Sequence, residues 1–250
     1  MSNGRTRLGS ADRPLAVAHR GEPVWHRENT LPALAAALRA GADVIEIDVK
    51  VTADGTVVLL HDDTLDRLWN RSGDVNDLTY TQLRAFTSPS GGIPTLLAAL
   101  ALVSGTGAAL LIDMDSPAWA APSQAVVRTA IDEGWLEPDE VLWCGRPDAL
   151  TVIRAADPAA RIVLSWDAGT RDGALPEDEV VERLRPEAFN PHWPMMTAQT
   201  LAWARERQLA ATCWTVDDDG LMRDLLSLGV DAMTSNHISR LRTVIDEHAG

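Results

Sequence analysis

Short apolar runs of strand length alternate with longer segments of helical period along the 250 residues. The runs at 15–19 (LAVAH), 44–49 (VIEIDV), 108–114 (AALLIDM), 141–144 (VLWC), 161–166 (RIVLSW), 188–190 (AFN), 211–216 (ATCWTV) and 232–235 (AMTS) predict eight strands. Helical candidates at 31–40, 94–103, 123–133, 148–156, 177–185, 198–208 and 219–228 lie between them, and 238–248 closes the chain. A strand-then-helix unit repeated eight times in a chain of this length predicts an α/β fold, a (β/α)8 TIM barrel. An open doubly wound sheet has the same local grammar, but no glycine-rich dinucleotide loop follows the first strand.

One apolar run falls outside this count. "TVVLLHDDTLDR", 56–67, follows "EIDVKVTADG", and Asp54-Gly55 between two β-rich runs predicts a hairpin extension after the second strand. With Asp54 and Gly55 as the two turn residues, paired positions sum to 109, so Asp48 is expected opposite His61. Directly paired residues, and residues two apart on one strand, share a face. Glu46, Asp48, Lys50 and His61 are therefore expected on one side.

Composition narrows the function. The formal charge of −14 and a pI near 4.7 disfavour nucleic acid or an anionic membrane as partner and favour a divalent cation. A hydrophobic content of 46% supports a large core, and no Pro/Gly/Ser-rich linker divides the chain, so 1–250 reads as a single domain with 1–13 as a flexible N-terminal tail. Cys144 and Cys213 both lie in apolar runs, as core residues do in a reducing compartment. Neither a signal peptide nor a membrane-length run is evident, and a cytoplasmic protein is expected. Nothing in the pattern fixes an oligomeric state.

The candidate chemistry lies where a barrel keeps it, at the C-terminal ends of strands: His19, Glu46, Asp48 and Asp113. Glu46 and Asp48 alternate with Val44, Ile45, Ile47 and Val49, and two acids directed into a barrel mouth need a cation or strong donors. Their hard oxygens suit Mg²⁺ or Ca²⁺ rather than zinc.

These residues resemble the glycerophosphodiester phosphodiesterase family of metal-dependent (β/α)8 barrels. The matching text is His19-Arg20-Gly21, Glu28-Asn29-Thr30, Glu46-Ile47-Asp48-Val49, Thr52-x-Asp54-Gly55 and His61-Asp62-x-Thr64-Leu65-x-Arg67, with weaker likeness through "GGIPTL", "FNP" and "CWTVDD". The resemblance implies that His19 and His61 exchange protons, that Arg20 binds the phosphate of a small phosphodiester, and that Gly21 lets the backbone approach it. It also implies that Glu46, Asp48 and Asp113 hold a divalent metal and that Trp214 lines the pocket. A glycerol hydroxyl of the substrate would attack phosphorus, giving a cyclic phosphate that water opens to glycerol 3-phosphate and an alcohol.

The chain departs from the family at Asp113-Met114-Asp115, where the family usually carries Glu-x-Lys, so a carboxylate stands where a cation is expected. Lys50, the only lysine, shares the hairpin face with Asp48 and is a candidate substitute. Ser235-Asn236 replaces the usual acid near the last strand. Glu28 has two readings, stabilisation of the following helix N-terminus or support of the site. Two rival functions stay open: a phospholipase-like enzyme that releases the cyclic phosphate, and a catalytically weak binding barrel disabled by Asp115.

Overall fold

The computed structural model describes residues 8, 13–88, 91–167 and 174–249; most of the expected N-terminal tail therefore lies outside the described residues. Eight parallel strands close into a barrel: β1 (Leu15–His19), β2 (Val44–Val51), β3 (Ala109–Met114), β4 (Val141–Gly145), β5 (Arg161–Trp166), β6 (Ala188–Pro191), β7 (Ala210–Cys213) and β8 (Ala232–Ser235). Each pairs with the next, and β8 returns to β1 with Ala18 beside Ser235. The outer ring is α1 (Leu31–Arg39), α2 (Leu96–Val103), α3 (Pro117–Asp132), α4 (Pro147–Ala156), α5 (Asp178–Leu184), α6 (Ala198–Glu206), α7 (Asp219–Leu228) and α8 (Ile238–Ala249).

Strand alternation divides the apolar residues between two cores. Ile45, Ile47, Val49, Leu110, Ile112, Trp143, Ile162, Leu164 and Phe189 point outward against the helices. Leu15, Val17, Val44, Leu111, Leu142, Val163, Ala188, Ala210 and Ala232 fill the lumen. Two residues further along the same strands the lumen turns polar: His19 follows Val17, Glu46 follows Val44, and Asp113 follows Leu111. Cys144, Ser165, Asn190 and Thr234 follow Leu142, Val163, Ala188 and Ala232 in the same way. The barrel thus has an apolar floor and a polar mouth.

Two element boundaries depart from the sequence expectation by more than two residues. Helix α3 begins at Pro117 rather than 123, with the Ser116 side chain accepting from Ala118 N–H; Pro122 inside the helix hides its first turns from a propensity reading. Strand β7 ends at Cys213 rather than 216, because Trp214 leaves the β8 ladder and bonds Pro191 and Trp193 instead.

The hairpin forms, but one residue out of the expected register. Its return arm Val57–Leu59 pairs Val51 with Val57, Lys50 with Val58 and Val49 with Leu59, so paired positions sum to 108. The Thr56 carbonyl accepts from Thr52 N–H, which leaves three turn residues, Ala53, Asp54 and Gly55, with Gly55 at φ 79°. Leu60 N–H, not His61, meets the Asp48 carbonyl. His61 reaches the site because the chain leaves the hairpin there. The segment beyond packs Val58, Leu60, Leu65, Trp69, Val75, Leu83 and Ile93 into a small core of its own, on which His61 to Arg67 are carried.

Candidate active site

The polar mouth encloses a cavity of about 190 Å³ lined by His19, Arg20, Glu46, Asp48, His61, Asp113, Asp115 and Trp214, among others. Register explains the convergence. His19 stands beside Glu46 across β1 and β2, and Asp48 beside Asp113 across β2 and β3. Among the described residues, ligand oxygens of Glu46, Asp48 and Asp113 lie within 4.8 Å of one another.

This triad fits a divalent cation. All its donors are hard carboxylate oxygens, and Asp113 Oδ1 is buried without a hydrogen-bond partner. Burial, then the charges of Asp48 and Asp113, pushes the Glu46 carboxyl well above the usual range. Burial, then Asp48 and Asp115, pushes Asp113 up to about 8. Without a cation the triad therefore holds protons it would surrender to one.

Gly145, which follows Cys144 on β4, makes room for Asp113: a Cβ there would lie 2.5 Å from Asp113 Oδ1 and against the Met114 backbone. At Gly21 the missing Cβ is required by packing. A Cβ there would lie 2.7 Å from the Ala33 carbonyl carbon, so the glycine lets the β1 loop pack on the start of α1.

Arg20 sits in the left-handed region at φ 59°. Its N–H meets both the carbonyl and Oε2 of Glu46 at 3.0 Å, which turns the guanidinium toward Asp48, with Nε 3.2 Å from Oδ2. Nη1 donates to Glu28 Oε1 at 2.9 Å. Asn29, fully buried and also left-handed at φ 55°, clamps Asp48: Nδ2 donates to Oδ2 at 2.6 Å, and Oδ1 accepts from the Asp48 N–H at 3.1 Å.

The Glu28 carboxylate is engaged by arginines. It accepts from Arg20 and, through both oxygens, from Arg67, which donates from Nε and Nη2 to Asp62 at 2.6 and 2.9 Å. Burial opposes its ionisation, yet Arg67 and Arg20 hold its carboxyl below the ordinary range. Asp62 in turn lies 2.7 Å from His61 Nδ1, and Arg67 holds its carboxyl down at about 2. A continuous chain of charge-assisted bonds thus joins His61 to Arg20. The sequence motifs contain Asn29, Asp62 and Arg67 without marking a role for them; their position within the Glu28-Asn29-Thr30 and His61-Asp62 blocks was the available signal.

His19 lies opposite. Its Nδ1 is 2.8 Å from Asn236 Oδ1 and its Nε2 is 4.0 Å from Glu46 Oε2. Burial, then the charge of Arg20, lowers its pKa, and the Asn236 bond and the carboxylates only partly oppose this.

Lys50 is not among the residues lining the cavity. Its buried ammonium lies 3.0 Å from Asp63 and 3.6 Å from Asp115, over the ring of Trp119 at 4.3 Å. Asp115 does line the cavity, half-exposed, with Lys50 behind it. Trp214 closes another wall, its Nε1 donating to the Asn190 carbonyl at 3.0 Å and its ring 5.2 Å from that of His192.

Known proteins share this fold. The chain is 27% identical over 251 residues to glycerophosphodiester phosphodiesterase GDPD4 of Arabidopsis thaliana, covering 94% of this chain and 74% of that one. It is 26% identical over 231 residues to glycerophosphodiester phosphodiesterase of Caldanaerobacter subterraneus subsp. tengcongensis, covering 89% and 93%. A solved Oleispira antarctica phosphodiesterase, in complex with the product sn-glycerol-3-phosphate, superposes with a TM-score of 0.83 at 24% identity, covering 94% of this chain and 97% of that one. The model of the Glycerophosphoryl diester phosphodiesterase family matches residues 19–240. With most of its length matched, this chain belongs to the glycerophosphoryl diester phosphodiesterase family of enzymes.

Proposed function

We propose that the chain hydrolyses glycerophosphodiesters to glycerol 3-phosphate and a free alcohol, with Glu46, Asp48 and Asp113 holding a divalent cation, Ca²⁺ or Mg²⁺. The observation that carries this is the convergence of His19, His61, Arg20 and the three carboxylates on one cavity in a chain of this family. When bound, the cation would offset the carboxylate charge and draw electron density from the phosphoryl oxygens.

The chain's own residues supply the rest. Arg20, oriented by Glu28, grips non-bridging oxygens. His19, made less basic by burial and by Arg20, takes the proton of the attacking glycerol hydroxyl. His61, its ring held at Nδ1 by Asp62, delivers a proton to the departing alkoxide. In the second step the roles reverse: His61 activates water, and His19 returns its proton to the opening ring oxygen. Trp214 packs the substrate's carbon skeleton. The pairing of Lys50 with Asp115 favours this reading over a barrel disabled by Asp115, because the fourth carboxylate has a cation beside it. Two free buried cysteines suit a cytoplasmic location, and among the described residues no helix is long and apolar enough to cross a membrane.

The test is turnover of glycerophosphocholine and glycerophosphoethanolamine with Ca²⁺, Mg²⁺ and Mn²⁺ in turn, followed by phosphorus NMR. Persistent cyclic phosphate would favour the phospholipase-like alternative. His19→Ala and His61→Ala should each lower kcat by roughly 10²- to 10⁴-fold with metal binding retained. No turnover with any metal, despite measurable metal binding, would refute the enzymatic reading.

A further inference from the structure

We propose that Asn236, clamped by Asp217, is a positioning residue that fixes His19 as the Nδ1–H tautomer and leaves its Nε2 lone pair turned to the cavity. This assignment rests on the proposed role of His19 as proton acceptor.

Donors and acceptors around one amide decide the tautomer. The Asn236 side chain bridges His19 and Asp217, with Oδ1 2.8 Å from His19 Nδ1 and Nδ2 2.7 Å from Asp217 Oδ2. Which end of an amide faces which partner is decided by its network, and Asp217 decides it here. An ionised carboxylate only accepts. Asp217 Oδ1 takes the Asn236 backbone N–H at 2.8 Å and the Ser235 hydroxyl at 3.0 Å. Ser235 Oγ itself accepts from His237 N–H, so its own proton is free to point at Asp217. The NH₂ end of Asn236 must then face Asp217, and its carbonyl must face His19. A carbonyl brings no proton, so the proton between them belongs to His19 Nδ1. A neutral imidazole carries one N–H, and Nε2 is left as the acceptor. At 4.0 Å, Glu46 Oε2 is too far from Nε2 to hold a competing proton there in a hydrogen bond.

The fold builds this clamp from three neighbouring strands. His19 ends β1, Ser235 ends β8 directly beside Ala18, and Asp217 lies in the loop from β7 to α7. A neutral amide orients the ring without adding a charge to a lumen that already holds Glu46, Asp48 and Asp113. The sequence marked this place as a departure, with Ser235-Asn236 in place of an acid; the structure shows that an acid stands one step further back, at Asp217.

The test reads the tautomer directly, by nitrogen-15 NMR of the full chain with labelled histidine, assigned by the loss of signals in His19→Gln. The wild type should show a protonated Nδ1 and an unprotonated Nε2 at neutral pH. Asp217→Asn should invert this: the new amide donates to Asn236 Oδ1, Asn236 flips, and its NH₂ end claims the Nδ1 lone pair. The same variant should lose about 10²-fold in kcat, as for a misdirected catalytic group, with little change in KM. Adding Asn236→Asp should restore both tautomer and turnover, because an oxygen that can only accept again faces Nδ1, now from a carboxylate, and the amide introduced at position 217 donates to that carboxylate. A wild-type His19 protonated on Nε2, a tautomer unchanged in Asp217→Asn, or an inverted tautomer with full kcat would each overturn the proposal. The spectrum needs no turnover, so its failure is distinct from a failure of the proposed hydrolysis.

Discussion

In the proposed cation site a divalent ion would compete with the protons held by Glu46 and Asp113, and the competition has a calculable size. With Asp113 pushed up to about 8 by burial and by Asp48 and Asp115, a cation arriving at pH 7 must expel a proton from a site that is mostly protonated. One pH unit below that value costs about 1.4 kcal/mol, roughly tenfold in apparent affinity, and each further unit costs about tenfold more. Glu46, raised well above its usual range, holds a second proton that the cation must also displace. A carboxyl whose folded-state pKa is raised contributes stability that is fully present below its unfolded value and is lost as pH rises through its folded value. The metal-free protein should therefore lose thermal stability between about pH 4 and 8 as Asp113 ionises, with Glu46 acting in the same direction, and the cation should restore most at the alkaline end. Calorimetric titration in two buffers of different ionisation enthalpy counts the protons released, and a thermal melt with and without chelator reads the stability. A metal affinity independent of pH from 6 to 9, with no proton release, would rule out proton–cation competition at these carboxylates.

Lys50→Met should leave the half-exposed Asp115 facing a bound phosphodiester without its cation, raising KM by about fivefold, on the order of 1 kcal/mol after solvent screening. Adding Asp115→Asn should return KM toward wild type, and an unchanged KM in Lys50→Met would show that Asp115 does not act on the substrate. Gly145→Ala places a Cβ 2.5 Å from Asp113 Oδ1 at a backbone φ of 111°. It should cost about 1–3 kcal/mol of stability and weaken cation binding, and a melting temperature and metal affinity equal to wild type would contradict this.

Periodicity alone marked all eight barrel strands and placed Glu46, Asp48 and Asp113 at the mouth, since alternation and strand ends are local properties. The hairpin register failed by one residue for an equally local reason. Asp54-Gly55 serves a two-residue and a three-residue turn alike, and only the closing bond between Thr52 and Thr56 distinguishes them. The supports of the two histidines were not legible, because they are pairings across great chain distances. His19 and Asn236 are 217 positions apart, and Glu28 and Arg67 are 39 apart. No period links such positions. Lys50 is paired with Asp63, from a loop carried on the small core around Leu65 and Trp69, and with Asp115, from just past the end of β3, so its partners come from separate segments.

The alternation of floor and mouth along the lumen separates insulation from reactivity by a single two-residue step. Leu111 stands beside Glu46 in register and two residues before Asp113, so its side chain bounds both acids from below. Exchanging such a floor residue for a smaller or a polar one would alter how well the medium beneath the acids screens their charge without removing any reacting group. The barrel therefore offers a dial for proton and cation affinity in residues that take no part in the chemistry themselves.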